Sequence, residues 1–350
     1  MAVLELKRTN LLIGVNDTIL IHNLAESTTT DIKIVQSNPK IKENICMVAF
    51  SKTCEYFAIV TDQKVLHIYF KTDSYDCIET YSMSRAASAM KFSENCNKLV
   101  IADKTGDVYL AEKKNKWHPK LILGHLSMLL DVLLTPDDKC IISCDRDEKI
   151  RVSAYPDTFN IVAYCLGHEE FVSSLDILTE HPDILFSASG DATIRAWHYL
   201  TGQQLLCVKL STAIISMKVN VIGEKIIAIA LLYKSCDVNI CSISFTAANF
   251  MECNILQTIK LPAEATKFTS YEKNLYFLGN NYLVQYCFDP EKMLYIKVEN
   301  VACPMVQEIV TQNKCADLHS FTASLFKKQY NNVEEYHKRK QMRMNKDLTL

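Results

Sequence analysis

The sequence predicts an all-β fold, a seven-bladed WD-repeat β-propeller, followed by a C-terminal basic amphipathic helix. Two observations carry that prediction: a turn-and-strand unit that recurs seven times at blade-sized intervals, and a switch to helical apolar spacing near residue 315. The unit is a turn containing Asp or Asn, then a short strand of alternating apolar residues. It stands at Asp17 (DTILIH), Asp62 (DQKVLHIY), Asp107 (DVYL), Asp147 (DEKIRVS), Asp191 (DATIRAW), Asp237 (DVNICSI) and Asn281 (NYLVQYC). The intervals are 45, 45, 40, 44, 46 and 44 residues, each enough for one four-stranded blade.

Two units carry the fuller signature. Gly124-His125 precedes Asp147, the His by 22 residues, and Gly167-His168 precedes Asp191, the His by 23. The second also has a tryptophan, so His168, Ser187, Asp191 and Trp197 are expected to hydrogen-bond across one blade. Such a network satisfies polar groups that would be costly to bury singly. In DATIRAW, Ile194 and Ala196 share one strand face, while Thr193, Arg195 and Trp197 share the other. Breaks between blades are expected near Asn38-Pro39, Ser82 to Ser84, Trp117 to Lys120, Tyr155-Pro156, Thr201-Gly202 and Leu261-Pro262. The propeller is assigned to residues 1–314, and the helix and basic tail to 315–350.

Composition narrows the function. The chain has 350 residues, 49% of them hydrophobic, with a net charge of −2, which suits one large closed domain. The fourteen cysteines form no CxxC pair. Glu5, Lys7 and Arg8 stand where a secretory signal would be apolar, and the longest apolar run, Ile226 to Tyr233, is too short to span a membrane. The expectation is a soluble intracellular protein with reduced, buried thiols. Of the eight glycines, the closest two, Gly190 and Gly202, lie twelve positions apart. Phosphate-cradling loops need several glycines within about six residues, so no P-loop, dinucleotide site or S-adenosylmethionine loop of that kind is expected. The histidines form no HxxxH or HExxH pair, and no metal site is expected. No Ser-His-Asp or Cys-His constellation is identifiable.

After Cys315 the strand pattern stops. Leu318, Phe321 and Leu325 form one apolar stripe; Phe326, Tyr330, Val333 and Tyr336 continue it with a shift, and Asp317 suits an N-cap. From Lys327 to Leu350 there are seven Lys/Arg against three Asp/Glu, while the remaining 326 residues hold 31 basic and 37 acidic. One reading packs the stripe on the propeller and leaves the charges in solvent. The other lets the basic face meet phosphates, and the two are compatible.

Several stretches resemble one family: IADKTGDVY (101–109), LGHLSMLLDV (123–132), TPDDKCIISCDRDEKIRVS (135–153), CLGHEEFVS (165–173) and, in the tail, SLFKKQYNNVEEYHKRK (324–340). They are similar to the WD-repeat, non-catalytic subunit of tRNA (guanine-N7)-methyltransferase. The resemblance implies a chain with no catalytic, cofactor or metal residues of its own, paired as a heterodimer with a catalytic subunit. That partner would hold S-adenosylmethionine and methylate N7 of a guanosine in the tRNA variable loop. It also implies a nuclear location, for which the cluster Lys338 to Lys340 is a local cue.

On that basis Arg146, Asp147, Glu148, Lys149 and Arg151, with Lys104, form the expected partner interface. Lys327, Lys328, Lys338, Arg339, Lys340 and Arg343 form the expected tRNA contact. A structural reading stands beside this one. Asp147 and Arg151 correspond in the repeat to Asp191 and Arg195, which argues for blade architecture, and Lys104 alone could be a solvated lysine. Two other functions remain open: a general WD-repeat adaptor, such as a substrate receptor or genome-maintenance scaffold, and a propeller enzyme with its site in the central channel. The latter needs convergent acids or histidines on the inner strands, where the pattern places mainly apolar residues.

Overall fold

In a computed structural model the chain forms seven four-stranded antiparallel sheets, each built from four consecutive strands. The residues described are 2–36, 42–72, 74–223, 225–245, 251–299 and 318–327, with 336, 337 and 339–341. The blades span 2–33, 45–82, 87–124, 129–165, 172–209, 214–260 and 265–297. All seven repeat anchors, from Asp17 to Asn281, fall between the second and third strands of a blade or begin the third strand. Three expected breaks, at Trp117 to Lys120, Tyr155-Pro156 and Thr201-Gly202, instead lie inside blades, between the third and fourth strands. Turn-forming residues mark hairpins as readily as blade boundaries, so composition alone could not separate the two.

The first strands of successive blades pack on one another around the ring, and the first strand of blade 7 packs on that of blade 1. Each seam between neighbours has its own apolar core. Ile194 and Ala196 of blade 5 pack towards Ile226 and Ala228 of blade 6, while Trp197 faces Ile142 and Val152 of blade 4. The alternation seen in DATIRAW therefore serves two different seams. Among the described residues, no strand is exchanged between the first and last blades. The ring closes through Leu4, Leu6, Leu11 and Ile13 against Tyr276, Leu278 and Leu283.

Innermost strands have a free edge, and their amide groups need acceptors. Side chains of the preceding blade supply them. Glu5 accepts from the Phe50 N–H (3.2 Å), Asp131 from Leu175 (2.8 Å), Ser174 from Met217 (3.0 Å), Asp176 from Val219 (2.9 Å) and Thr269 from Leu6 (2.9 Å). The expectation of mainly apolar inner strands is thereby corrected: they carry Glu5, Lys91, Asp131, Asp176, Lys218 and Lys267. A short strand that is polar towards the channel and apolar towards one seam reads as simple alternation in sequence.

The last of those bonds gives a direct test of closure. Thr269→Val keeps the shape of the side chain but leaves the buried Leu6 N–H without its acceptor. A loss of about 1–3 kcal/mol is expected in denaturant unfolding. An unchanged midpoint would show that the apolar seam alone closes the ring.

Candidate partner interface

Blade 5 contains the expected network. His168 Nδ1 bonds Asp191 at 2.9 Å and its Nε2 meets the Ser187 hydroxyl at 2.8 Å, while the Trp197 indole N–H donates to that same oxygen at 2.8 Å. Thr193 Oγ1–H also donates to Asp191 (2.6 Å). Burial holds the His168 imidazole below its ordinary value, outweighing the pull of Asp191. Burial would raise the Asp191 carboxyl, but bonds from His168, Thr193 and the Glu169 N–H hold it well below the usual carboxylate range.

Blade 4 builds the same motif with a different acid. His125 bonds Ser143 Oγ (2.8 Å) and Asp145 (3.0 Å), not Asp147. Asp145 ends its strand and is buried; its second oxygen accepts the Lys149 N–H at 3.1 Å. The structural role read for Asp147 therefore belongs to Asp145, two residues earlier, and Asp147 is left exposed at the tip of the turn. A carboxylate from the strand end reaches the imidazole as well as one from the turn, so repeat spacing could not choose between them. Lys149 is exposed as well. Arg151, in contrast, is half-buried, with its guanidinium donating to the Gly124 carbonyl at 2.9 Å, as its structural reading implied.

The remaining charges of this region hold the C-terminal segment. A helix spans Leu318–Leu325 and lies across the second-to-third-strand turns. The Lys104 ammonium sits 5.0 Å from the centre of the Phe321 ring, and Arg146 Nε donates to the Leu325 carbonyl at 3.2 Å. Thr322 and Leu325 are buried. Phe326 packs edge-on against Phe171, ring centroids 5.1 Å apart, and at a tilt against Tyr233, 5.4 Å between centroids. Lys327 forms an ion pair with Glu148, its ammonium donates to the Glu169 carbonyl (3.0 Å), and its N–H donates to Glu170 (3.2 Å).

Expected partner residues Lys104, Arg146 and Glu148 thus meet this strap, and expected tRNA residue Lys327 is one of its anchors. Phe321, Leu325 and Phe326 dock as the packing reading proposed, although the helix ends at Leu325 and Phe326 anchors from beyond it; Tyr336 of the same stripe is exposed, and Tyr330 and Val333 lie outside the described residues. Residues 336, 337 and 339–341 are again helical, with Arg339 and Lys340 exposed. Asp317, Lys328, Lys338 and Arg343 lie outside the described residues. The sequence did not single out Glu169, Glu170, Phe171 or Tyr233, because only the ring brings these two loops beneath residue 326.

Next to the charged turn, the outer strand of blade 4, Ile161–Cys165, exposes Ile161, Val162 and Tyr164, and Phe159 and Leu166 flank it, also exposed. Among the described residues, each of the other six outer strands includes at least one Lys, Asp or Glu; this one has none. Charges on an edge strand are a common guard against unwanted pairing. An unguarded apolar edge beside exposed Asp147 and Lys149 is a surface suited to a protein partner.

The described residues contain no group of three or more His, Cys, Asp or Glu able to hold a metal ion. No described helix is long and apolar enough to cross a membrane.

A family model described as the tRNA methyltransferase TRM82 WD40 domain matches residues 110–314. A tRNA (guanine-N(7)-)-methyltransferase non-catalytic subunit, wuho, of Drosophila mojavensis is 32% identical over 98% of this chain and 95% of its own length. The chain belongs to this family of non-catalytic tRNA (guanine-N7)-methyltransferase subunits. The subunits named wdr4 in Danio rerio and WDR4 in Homo sapiens are 45% and 44% identical over 50% and 47% of the chain. Those alignments span 42% and 40% of the vertebrate proteins, about two fifths of their length. A chain in a crystal structure of the mitotic checkpoint complex shares the propeller fold of this family member. Its TM-score is 0.68, at 12% identity, over 79% of this chain and 82% of that one.

Proposed function

We propose that this chain acts as the accessory half of a heterodimer, stabilising a catalytic tRNA (guanine-N7)-methyltransferase subunit and helping to position tRNA. The partner binds S-adenosylmethionine and forms N7-methylguanosine in the variable loop. The observation that carries the reading, beside family membership, is the flank of blade 4, where an apolar edge without charges adjoins exposed Asp147 and Lys149. The central channel does not favour an enzyme, because the carboxylates of Glu5, Asp131 and Asp176 accept backbone N–H groups of the next blade. The complex acts in the nucleus on this reading.

The test is tRNA methylation with this chain alone, the catalytic subunit alone, and both together. Activity that appears or rises sharply only in the mixture supports the proposal; activity of the catalytic subunit that does not depend on this chain overturns it.

The basic tail is assigned to tRNA through Lys328, Lys338, Arg339, Lys340 and Arg343, with Lys327 serving as its anchor to blades 4 and 5. Reversing the charge at Lys338, Arg339 and Lys340 is expected to weaken tRNA binding by the complex. It also flattens the salt dependence by up to about 0.7–0.9 in log–log slope per lost phosphate contact. Titrations at several salt concentrations measure that slope, and an unchanged value removes the tail from the RNA interface.

A further inference from the structure

The channel charges are not balanced. Four lysines, Lys7, Lys91, Lys218 and Lys267, are carried on the inner strands of blades 1, 3, 6 and 7, against three carboxylates, Glu5, Asp131 and Asp176. The bonds between blades place Glu5, Asp176 and Thr269 at one level of the ring, because each accepts the N–H one residue further along the next inner strand. Lys218 reaches the same level, its ammonium 3.4 Å from Thr269 Oγ1. Lys7 lies two residues beyond Glu5 and therefore on the same face of its strand. Lys7 and Lys218 are within electrostatic range of each other and of Glu5 and Asp176, and Lys91 is within range of the same two acids.

The carboxylates are already engaged. Asp176 accepts Ile177 N–H at 3.1 Å on one oxygen and Val219 N–H at 2.9 Å on the other. Asp131 accepts Val132 N–H (2.9 Å), Leu175 N–H (2.8 Å) and the Lys91 ammonium (2.8 Å). Lys91 spends a second proton on the Leu175 carbonyl at 2.8 Å. Among the described residues, Lys218 has only its long contact to Thr269, and Lys7 has no acceptor within hydrogen-bond distance. Several ammonium protons thus converge on the channel with no protein acceptor, in a ring whose lysines outnumber its acids.

We propose that the channel binds one compact oxyanion of the phosphate class between the ammonium groups of Lys7 and Lys218, within reach of Lys91. A tetrahedral oxyanion offers acceptors in several directions, which suits donors arriving from different blades. An extended polyanion does not fit, because it would bring further negative charge against Glu5, Asp131 and Asp176. Burial lowers the Lys218 ammonium against the opposing pull of Glu5, and a bound anion would relieve that cost. This site is independent of the partner and tRNA surfaces.

The experiment uses the full chain at pH 7 and fixed ionic strength, titrated calorimetrically with inorganic phosphate and, separately, with sulfate. Thermal unfolding is followed in each salt against chloride. Saturable binding of phosphate or sulfate with a matching rise in Tm is expected. Lys7→Gln should weaken it at least tenfold, and so should Lys218→Gln. Because Lys218 touches Thr269, its variant could lose stability; Lys7→Gln removes no side-chain hydrogen bond or ion pair among the described residues and keeps the test clear. A phosphate effect that does not saturate and is equal in wild type and Lys7→Gln would be general exclusion from the protein surface, and would overturn the site. So would the absence of any difference from chloride.

Discussion

Asp191→Ala is expected to lower the unfolding free energy of the propeller by about 3 kcal/mol or more. Asp191 accepts from His168 Nδ1–H (2.9 Å), Glu169 N–H (3.1 Å), Thr193 N–H (2.8 Å) and Thr193 Oγ1–H (2.6 Å). Alanine leaves His168 and Thr193, both buried, with donors that water cannot easily reach. Asp147→Ala, at the matching place in the previous repeat, should change stability by less than about 0.5 kcal/mol, since Asp147 is exposed and Asp145 serves His125. Equal effects of the two substitutions in guanidinium unfolding would contradict this division of roles.

The same network sets an acid limb. The His168 imidazole is held below its ordinary value by burial, so below about pH 6.5 the unfolded chain binds the extra proton and the folded chain does not. Stability is therefore complete above that pH and declines beneath it. The lowered Asp191 carboxyl adds a second loss below about pH 4, again because the unfolded state takes the proton first. A midpoint that stayed constant from pH 8 to pH 4 would rule out the imidazole contribution.

Lys149→Glu is expected to weaken the complex with the catalytic subunit by roughly 2–5 kcal/mol if the ammonium is paired and desolvated there. Within this chain the substitution should be nearly silent. The Lys149 side chain is exposed, and the turn is held by its backbone N–H on Asp145, which glutamate retains. The adjoining Ile150 and Val152 stay buried in the seam to blade 5. Glu148→Lys is the informative contrast, because it replaces the ion pair to Lys327 with a repulsion and loosens that end of the C-terminal strap. Loss of the complex in both variants, with loosening of the strap only in Glu148→Lys, would separate the partner surface from the strap's own seat. Normal co-elution of Lys149→Glu with the catalytic subunit on a sizing column would take this lysine out of the interface.

Much of the architecture is legible in the sequence, because a blade is a local object. Four consecutive strands make one sheet, so the anchors from Asp17 to Asn281 recur at blade spacing, and the His168, Ser187, Asp191 and Trp197 network follows from residues 29 positions apart or less. Blade limits were harder to place, since Tyr155-Pro156 and Thr201-Gly202 form hairpins within a blade. The inner strands were misread as apolar because their polar side chains alternate with seam residues and answer amides of another blade.

By itself the sequence determined the fold class, the number of blades, the intact blade 5 network and the switch to a basic C-terminal segment, because each depends on residues near one another in the chain. Only the tertiary structure decided that Asp145 rather than Asp147 serves His125, a choice of side-chain reach that spacing does not encode. It also decided that Lys104, Arg146 and Glu148 seat the strap while Asp147 and Lys149 remain open to a partner. The pairing of Lys327 with Glu148 joins residues 179 apart, and the channel lysines come from blades at opposite ends of the chain. Contacts of that range exist only once the ring has closed, because closure alone brings the loops and inner strands of distant blades to one face and one axis.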